Sequence, residues 1–166
     1  MRALRSQAAT AAARRRTTRG LGFAALAAAA AIPLSVATPA HADIVTCDRD
    51  TTPQGWHSVC SREPEDGDPG GVSGTAKHYH VAAGSRAQNY FKAKGENFHL
   101  RNSTGYAAIF SAWYYRDGQW YQFFEGVRLG GHDTQTINKS LSENRRVSIQ
   151  ACVQGRGCVS NDDLRS

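Results

Sequence analysis

Histidines, serines, carboxylates and arginines are the residues of this chain that could carry out catalysis, but their spacing does not support it. Ser73 lies in the glycine-rich run 70–74, where the G-x-S-x-G pattern of a nucleophile elbow is absent. A ribonuclease-type toxin needs a carboxylate base, a histidine acid and an arginine clamp. Glu125, His132 and Arg128 lie close in sequence, yet nothing in their spacing singles them out. We therefore expect no catalytic residue.

Three histidines are candidates for a metal site. His78 and His80 are two residues apart in a segment that alternates like a strand, which places both imidazoles on one face, and His99 could add a third ligand. The H-E-x-x-H motif and the C-x-x-C pairs of zinc sites are absent from the sequence. We expect these histidines to lie on a polar strand face, with no metal and no cofactor.

An aromatic β-hairpin is the most informative segment of the sequence. Residues 106–116 and 119–129 are rich in aromatic side chains and flank Asp117-Gly118. This dipeptide is typical of a two-residue hairpin turn, because both of its positions need positive φ. Large apolar side chains then fall on both faces, one toward the core and the other toward a second layer, a covering loop or a partner. The predicted cross-strand pairs are Arg116–Gln119, Tyr115–Trp120, Tyr114–Tyr121, Trp113–Gln122, Ala112–Phe123 and Ser111–Phe124.

The hairpin and an acidic loop favour protein recognition. Trp113, Tyr115 and Trp120 are of the residue types that anchor protein interfaces, although such rings also stack on sugars. Glu65 and Asp66 belong to an acidic loop rich in proline and glycine, which could lie in the groove of a partner. We expect these residues to contact another protein rather than a small substrate.

Four cysteines predict a disulfide-stapled domain in an oxidising compartment. Local pairing, Cys47 with Cys60 and Cys152 with Cys158, is preferred because each bond closes a short loop; the pairing that links the N-terminal segment to the last strand stays open. A Cys152–Cys158 bond would hold Arg156 on a pre-ordered tip, which lowers the entropic cost of binding a partner.

The first 42 residues are typical of a secretory signal. An arginine-rich start precedes an Ala-rich apolar run at 21–31 and an A-x-A cleavage site at 40–42. The apolar run is shorter than the roughly 20 residues of a membrane span, so we expect a secreted, extracellular protein without a membrane anchor. Six of the 20 Lys and Arg residues lie before residue 20, and the 14 that remain match the 14 Asp and Glu. The exported chain therefore lacks the basic field that a nucleic-acid-binding protein needs.

The rest of the chain divides into an acidic, turn-rich leading segment at 43–75 and a β domain at 76–166. Ile44 and Val45 could form a short edge strand, and the alternation of Val147, Ile149 and Ala151 predicts an inward-facing last strand. The sequence predicts an all-β fold, a small antiparallel sandwich or barrel of six to seven short strands. The predicted strands are 76–83, 88–93, 96–101, 106–116, 119–129, 134–139 and 146–153.

The Ala- and Arg-rich signal, the Ala40-His41-Ala42 site and the short cysteine-stapled β domain resemble small exported proteins of high-GC Gram-positive bacteria. In size, export and architecture the chain is similar to the adaptor subunit of Streptomyces umbrella toxin particles. That resemblance implies a non-catalytic adaptor in an extracellular antibacterial complex, which joins a lectin-bearing, inactive trypsin-like subunit to a repeat-built toxin chain.

Two alternatives to the adaptor remain. The first is an extracellular proteinase or hydrolase inhibitor that uses the Arg156 loop, although the run 112–116 departs from the Trp-Arg-Tyr tip of the amylase inhibitors. The second is a small enzymatic toxin.

Overall fold

The computed structural model describes residues 44–47 and 55–166, which are all-β. These residues belong to one compact unit. The predicted signal at 1–42 lies outside the described residues. The strands are β1 (Ile44–Thr46), β2 (Trp56–Pro64), β3 (Val72–His80), β4 (Ser85–Lys92), β5 (Asn97–Asn102), β6 (Ala108–Arg116), β7 (Gln119–Leu129), β8 (Asp133–Asn138), β9 (Arg146–Val153) and β10 (Gly157–Arg165).

The strands form one nearly closed, barrel-like sheet in the order β7-β6-β9-β10-β3-β4-β5-β8. Neighbouring strands are antiparallel except for β1, which runs parallel to β10 with Ile44 opposite Cys158. Strands β10 and β3 share one register pair, Arg165 with Val72. Two strands lie outside this order: β1 pairs with β10, and β2 pairs with the whole length of β3. The all-β class is confirmed, whereas the prediction of six to seven strands is too low.

Two of the strands that the sequence analysis did not predict, β2 and β10, contain residues that are not typical of strands. Strand β2 ends in Arg62-Glu63-Pro64, and β10 carries a polar run at 160–163. The buried Asn161 of β10 fits the sheet because its Nδ2 donates to the carbonyl oxygens of Ser61 and Thr75, both at 3.1 Å. The leading segment predicted at 43–75 ends inside β3, and its strand β2 pairs with β3.

The barrel interior is filled by aromatic and aliphatic side chains. The alternation predicted for β9 is confirmed, since Val147, Ile149, Ala151 and Val153 are all buried. Burial of each large side chain contributes about 1.5–3 kcal/mol relative to leaving it in water. The largest fully buried apolar side chains are Phe91, Phe98, Phe110, Leu100, Ile149, Leu164, Val147, Val153 and Val159.

The β6–β7 hairpin has the predicted turn and part of the predicted register. Asp117 and Gly118 both have positive φ, 50° and 84°. The four pairs nearest the turn are confirmed, but Ala112 faces Phe124 rather than Phe123, because β7 contains bulges on either side of that pair. Gly126, with φ of 63°, lies in the second bulge and its amide donates to Ser111 Oγ at 3.2 Å. Strict alternation cannot predict a bulge.

The register places the turns at two ends of the barrel. The connections at 81–84, 103–107, 130–132 and 154–156 lie at one end, which we name the Arg156 end. The connections at 65–71, 93–96, 117–118 and 139–145 lie at the opposite end, which we name the hairpin end. A strand of eight residues, such as β9, separates the two ends by roughly 25 Å.

Candidate functional site

Three of the predicted binding residues come together at the hairpin end. Trp113, Tyr115 and Trp120 lie on one face of the hairpin, and Arg146 of β9 lies over Tyr115 and Trp120; we name these four the aromatic face. The Tyr115 and Trp120 rings meet edge to face with centroids 5.3 Å apart. The Arg146 guanidinium is 5.6 Å from each of these two ring centroids, which is cation–π distance. The rings are thus held in a fixed arrangement, and Trp120 is still 43% exposed.

The tip of the hairpin extends past the rest of the sheet. Strand β9 pairs with β6 as far as Tyr114, which faces Val147. Beyond that pair, Tyr115, Arg116 and their partners on β7 have no third strand beside them among the described residues. The outer rings therefore stand on a two-stranded projection, with Trp120 exposed on one face and Tyr121 on the other.

The opposite face of the hairpin borders a cavity of about 460 Å³, which we name the basic groove. Tyr114 stacks on Tyr121, with centroids 5.5 Å apart, and Phe123 lies 4.6 Å from Tyr114. Of the described residues that line the groove, none is Asp or Glu. The lining consists of Tyr114, Arg116, Gln122, Phe123, Lys139, Ser140, Leu141, Ser142 and Arg145.

The acidic loop that carries Glu65 and Asp66 also lies at the hairpin end. It is a closed turn, since the Glu65 amide donates to Gly71 O at 3.0 Å and the Gly71 amide to Asp68 O at 2.9 Å. The Ser73 hydroxyl donates to the Glu65 carboxylate. Glu65 is therefore occupied within its own turn, whereas Asp66 is exposed.

Both disulfides follow the local pairing. Cys47–Cys60 links β1 to β2, and Cys152–Cys158 links residues that face each other across β9 and β10. Two disulfides in a small domain are typical of an oxidising compartment. Among the residues that the structure describes, no helix is long and apolar enough to cross a membrane.

Arg156 lies at the other end of the barrel from the aromatic face. Its side chain does not project from the turn: Nη2 donates to the Tyr106 hydroxyl at 2.9 Å, and the guanidinium lies 4.8 Å from the centroid of the Tyr106 ring. The structure therefore does not bring Arg156 together with Trp113, Tyr115 and Trp120.

A cavity of about 410 Å³, which we name the Arg156 cavity, opens beside this arginine. The Trp56 indole is stacked on His78 at 5.0 Å, and the edges of His80 and Tyr106 approach it at 5.4 and 6.3 Å. The lining residues are Trp56, His80, Ala83, Ser85, Ser103, Gly105, Tyr106, His132 and Arg156.

His78 corrects the prediction of polar-face histidines. The ring is fully buried beneath Trp56. Its Nε2 donates to the Arg156 carbonyl oxygen at 2.9 Å, so in the neutral ring Nδ1 accepts from Ser58 Oγ at 3.1 Å. Burial lowers the pKa of His78, because a charged ring would lose its hydration.

The three histidines considered for a metal do not converge. His80 shares the Trp56 side of β3 with His78, whereas His99 lies on β5 against Tyr90, with ring centroids 5.8 Å apart. Within residues 44–47 and 55–166, no group of three His, Cys, Asp or Glu side chains is placed to hold a metal ion.

The three toxin candidates do not line one cavity together. His132 lines the Arg156 cavity, but neither Glu125 nor Arg128 does. Arg128 Nη2 instead donates to Gln154 Oε1 at 3.1 Å, and Glu125 is exposed on β7.

Asn102 organises the Arg156 end and carries no signal in the sequence. This buried side chain donates from Nδ2 to the carbonyl oxygens of Tyr106 and Gly130, both at 2.8 Å. Its Oδ1 accepts from the Thr104 amide at 3.0 Å and from the Thr104 hydroxyl at 2.7 Å. These bonds fix the loop that carries Tyr106 to the start of the loop that carries His132. An isolated asparagine at a strand end is too common for sequence analysis to single out.

Searches with protein-family models, among curated proteins and among solved structures find no match to this chain.

Proposed function

We propose that this chain is a secreted, non-catalytic protein-binding module, with the tip of the β6–β7 hairpin as its contact surface. The observation that carries the proposal is the exposure of two large rings on opposite faces of the projecting tip, 43% for Trp120 and 42% for Tyr121. Rings of this size gain stability when they leave water, and residues of these types dominate the binding energy of protein interfaces.

The two faces of the tip favour a partner of defined chemistry. On the aromatic face, Trp120 and Arg146 are already ordered by their mutual contact, so a partner loses little free energy in fixing them. On the other face, Lys139 and Arg145 line the basic groove and form no ion pair with another lining residue, whereas Arg116 is paired with Asp117 at 2.9 Å. A partner that presents an apolar side chain to Trp120 and an acidic segment to the basic groove is complementary to both.

We propose further that the module is the adaptor subunit of an extracellular antibacterial toxin complex, with a trypsin-like or lectin-bearing secreted subunit as its partner. Support comes from the resemblance in size, export signal and architecture, together with two disulfides that suit an oxidising compartment. An adaptor needs no chemistry of its own.

The test is the native size of the tagged chain recovered from the medium of the producing cell. The wild-type chain should elute in a multi-protein particle whose other members are identified by mass. Trp120→Ala should weaken the association by about 2 kcal/mol, or roughly 30-fold, and return the chain to the size of a single domain. Val81→Ala, which alters a 60% exposed apolar residue at the opposite end, is the matched control and should leave the particle intact.

Three results contradict the proposal. The first is that the wild-type chain elutes alone. The second is that Trp120→Ala leaves the particle unchanged. The third is that the purified chain, without a partner, inhibits an enzyme or kills cells. Inhibition of a trypsin-like enzyme that Arg156→Ala abolishes identifies an inhibitor. Killing of cells by the chain alone, lost in His132→Ala, identifies a toxin.

A further inference from the structure

The Arg156 cavity is far from the proposed contact surface and has the features of a ligand site. Its volume of about 410 Å³ lies within the range of about 300–1,000 Å³ that small-molecule sites occupy. Its lining combines aromatic surface from Trp56 and Tyr106 with hydrogen-bonding groups from Arg156, His80 and His132. Five separate segments of the chain supply these residues, so the cavity is a product of the whole fold.

Arg156 is held in place by its main chain and its ring contact. Its carbonyl oxygen accepts from His78 Nε2, and its amide donates to Val153 O at 2.9 Å. The Cys152–Cys158 bond closes the turn that contains it. One Nη2 hydrogen is directed to the Tyr106 hydroxyl, which leaves other N–H groups of the fork for a ligand. A guanidinium that is already oriented loses little entropy when it binds.

The positive charge of Arg156 is not balanced by a carboxylate among the described residues that line the cavity. None of those that line it is Asp or Glu, and Arg156 forms no ion pair with any of them. A planar guanidinium beside imidazole nitrogens and a phenol hydroxyl suits an oxyanion, because phosphate and carboxylate oxygens accept the paired N–H donors of arginine.

We propose that the Arg156 cavity binds a small organic oxyanion, a phosphate ester or a carboxylate. The oxyanion lies against the Arg156 guanidinium and the rings of His80 and His132. The organic part lies against Trp56 and Tyr106. This site is independent of the hairpin tip, so it adds a small ligand to a chain whose proposed partner is a protein.

Two-dimensional NMR titration of the full mature domain tests this site directly. The probes are phenyl phosphate and benzoate, with phenol as the neutral match, in buffer of about 0.15 M salt so that diffuse charge effects are screened. The readouts are the Trp56 indole N–H and the amides of Tyr106 and Arg156. At least one anion should shift these signals in a saturable manner, with a dissociation constant on the order of 1 mM, and phenol should not. A response to one anion alone identifies which oxyanion the site accepts.

Variants separate a built site from general attraction of anions. Arg156→Ala should weaken binding at least tenfold, and Tyr106→Phe, which keeps the ring but removes the hydroxyl partner of Arg156, should weaken it less. Arg128→Ala is the matched control, because Arg128 also contacts the 154–156 turn but lies outside the cavity. Equal responses to phenol and the anions, no saturable shift, or equal losses in Arg128→Ala and Arg156→Ala would overturn the proposal. The particle-size test of the hairpin tip is unaffected by any of these outcomes.

Discussion

His78 Nε2 lies 2.9 Å from the carbonyl oxygen of Arg156, a residue 78 positions later in the chain. The bond fastens the β9–β10 turn to β3 two residues before that strand ends, and it requires the ring to carry its hydrogen on Nε2. The buried His78 ring thus holds the main chain of Arg156 in place, and Trp56 is stacked on the same ring.

The buried His78 makes stability depend on pH. Because the pKa in the folded chain is below the ordinary value of 6.5, the unfolded chain binds a proton more readily. The free energy of unfolding is then constant above about pH 6.5 for this group and falls as the pH drops through the lowered pKa, by about 1.4 kcal/mol for each unit of lowering. Urea unfolding at several values between pH 7.5 and about 5 measures it.

The variant His78→Gln should flatten this pH dependence, whatever its effect on stability at neutral pH. His99→Gln is the control, because His99 is exposed on β5 and bonded to Thr136 Oγ1. A slope that persists unchanged in His78→Gln would assign the effect to other groups.

Gly126 should be sensitive to substitution for reasons of backbone conformation alone. Its φ is 63°, and a Cβ built there meets no heavy atom within 4 Å. Gly126→Ala should therefore cost about 1–2 kcal/mol through strain in the left-handed region, without a clash. Gly130→Ala has equally open surroundings but lacks the positive φ, so its stability should stay the same or rise slightly. Thermal unfolding of both variants decides the matter; equal effects would show that the bulge does not constrain β7.

The Cys47–Cys60 bond should control the attachment of β1. This strand pairs with β10 through three register pairs, Ile44 to Cys158, Val45 to Val159 and Thr46 to Ser160. A loop of 13 residues closed by a disulfide is worth about 3 kcal/mol in the chain-entropy account. The double variant Cys47→Ser/Cys60→Ser should raise hydrogen exchange at the 44–46 amides while the β6–β7 hairpin keeps its protection.

The matched change Cys152→Ser/Cys158→Ser removes the bond that closes a loop of 6 residues and should cost about 2 kcal/mol. Its exchange should rise at the 154–156 turn and not in β1. A uniform loss of protection in both double variants would contradict separate roles for the two bonds.

Local patterns in the sequence predict part of this fold. The Asp117-Gly118 turn, the pairs Tyr114–Tyr121 and Tyr115–Trp120, and the buried face of β9 all follow from rules that act over a few residues. The disulfide pairing follows from loop length in the same way. These features are local, and local chemistry is sufficient to specify them.

The missed features depend on partners distant in sequence. Strand β10 reads as a polar tail because Asn161 looks exposed, yet its amide is satisfied by carbonyls of β2 and β3. The bulge at Phe123 shifts the hairpin register, and the alternation of apolar and polar residues in the sequence gives no sign of it. The residues that line the Arg156 cavity are spread along the chain from Trp56 to Arg156, and they show no regular spacing in the sequence. In each case the determining contact exists only after the sheet has formed.

The central position of β10 affects the order in which the molecule can assemble. This strand lies between β9 and β3 and also receives β1, although its residues come last among the ten strands. Until it is in place, no strand pairs β9 with β3, and contacts of long sequence separation form slowly. Closure of the sheet between β9 and β3 therefore waits for β10, and deletion of residues within 157–165 should leave those two strands unpaired and lower the stability of the barrel.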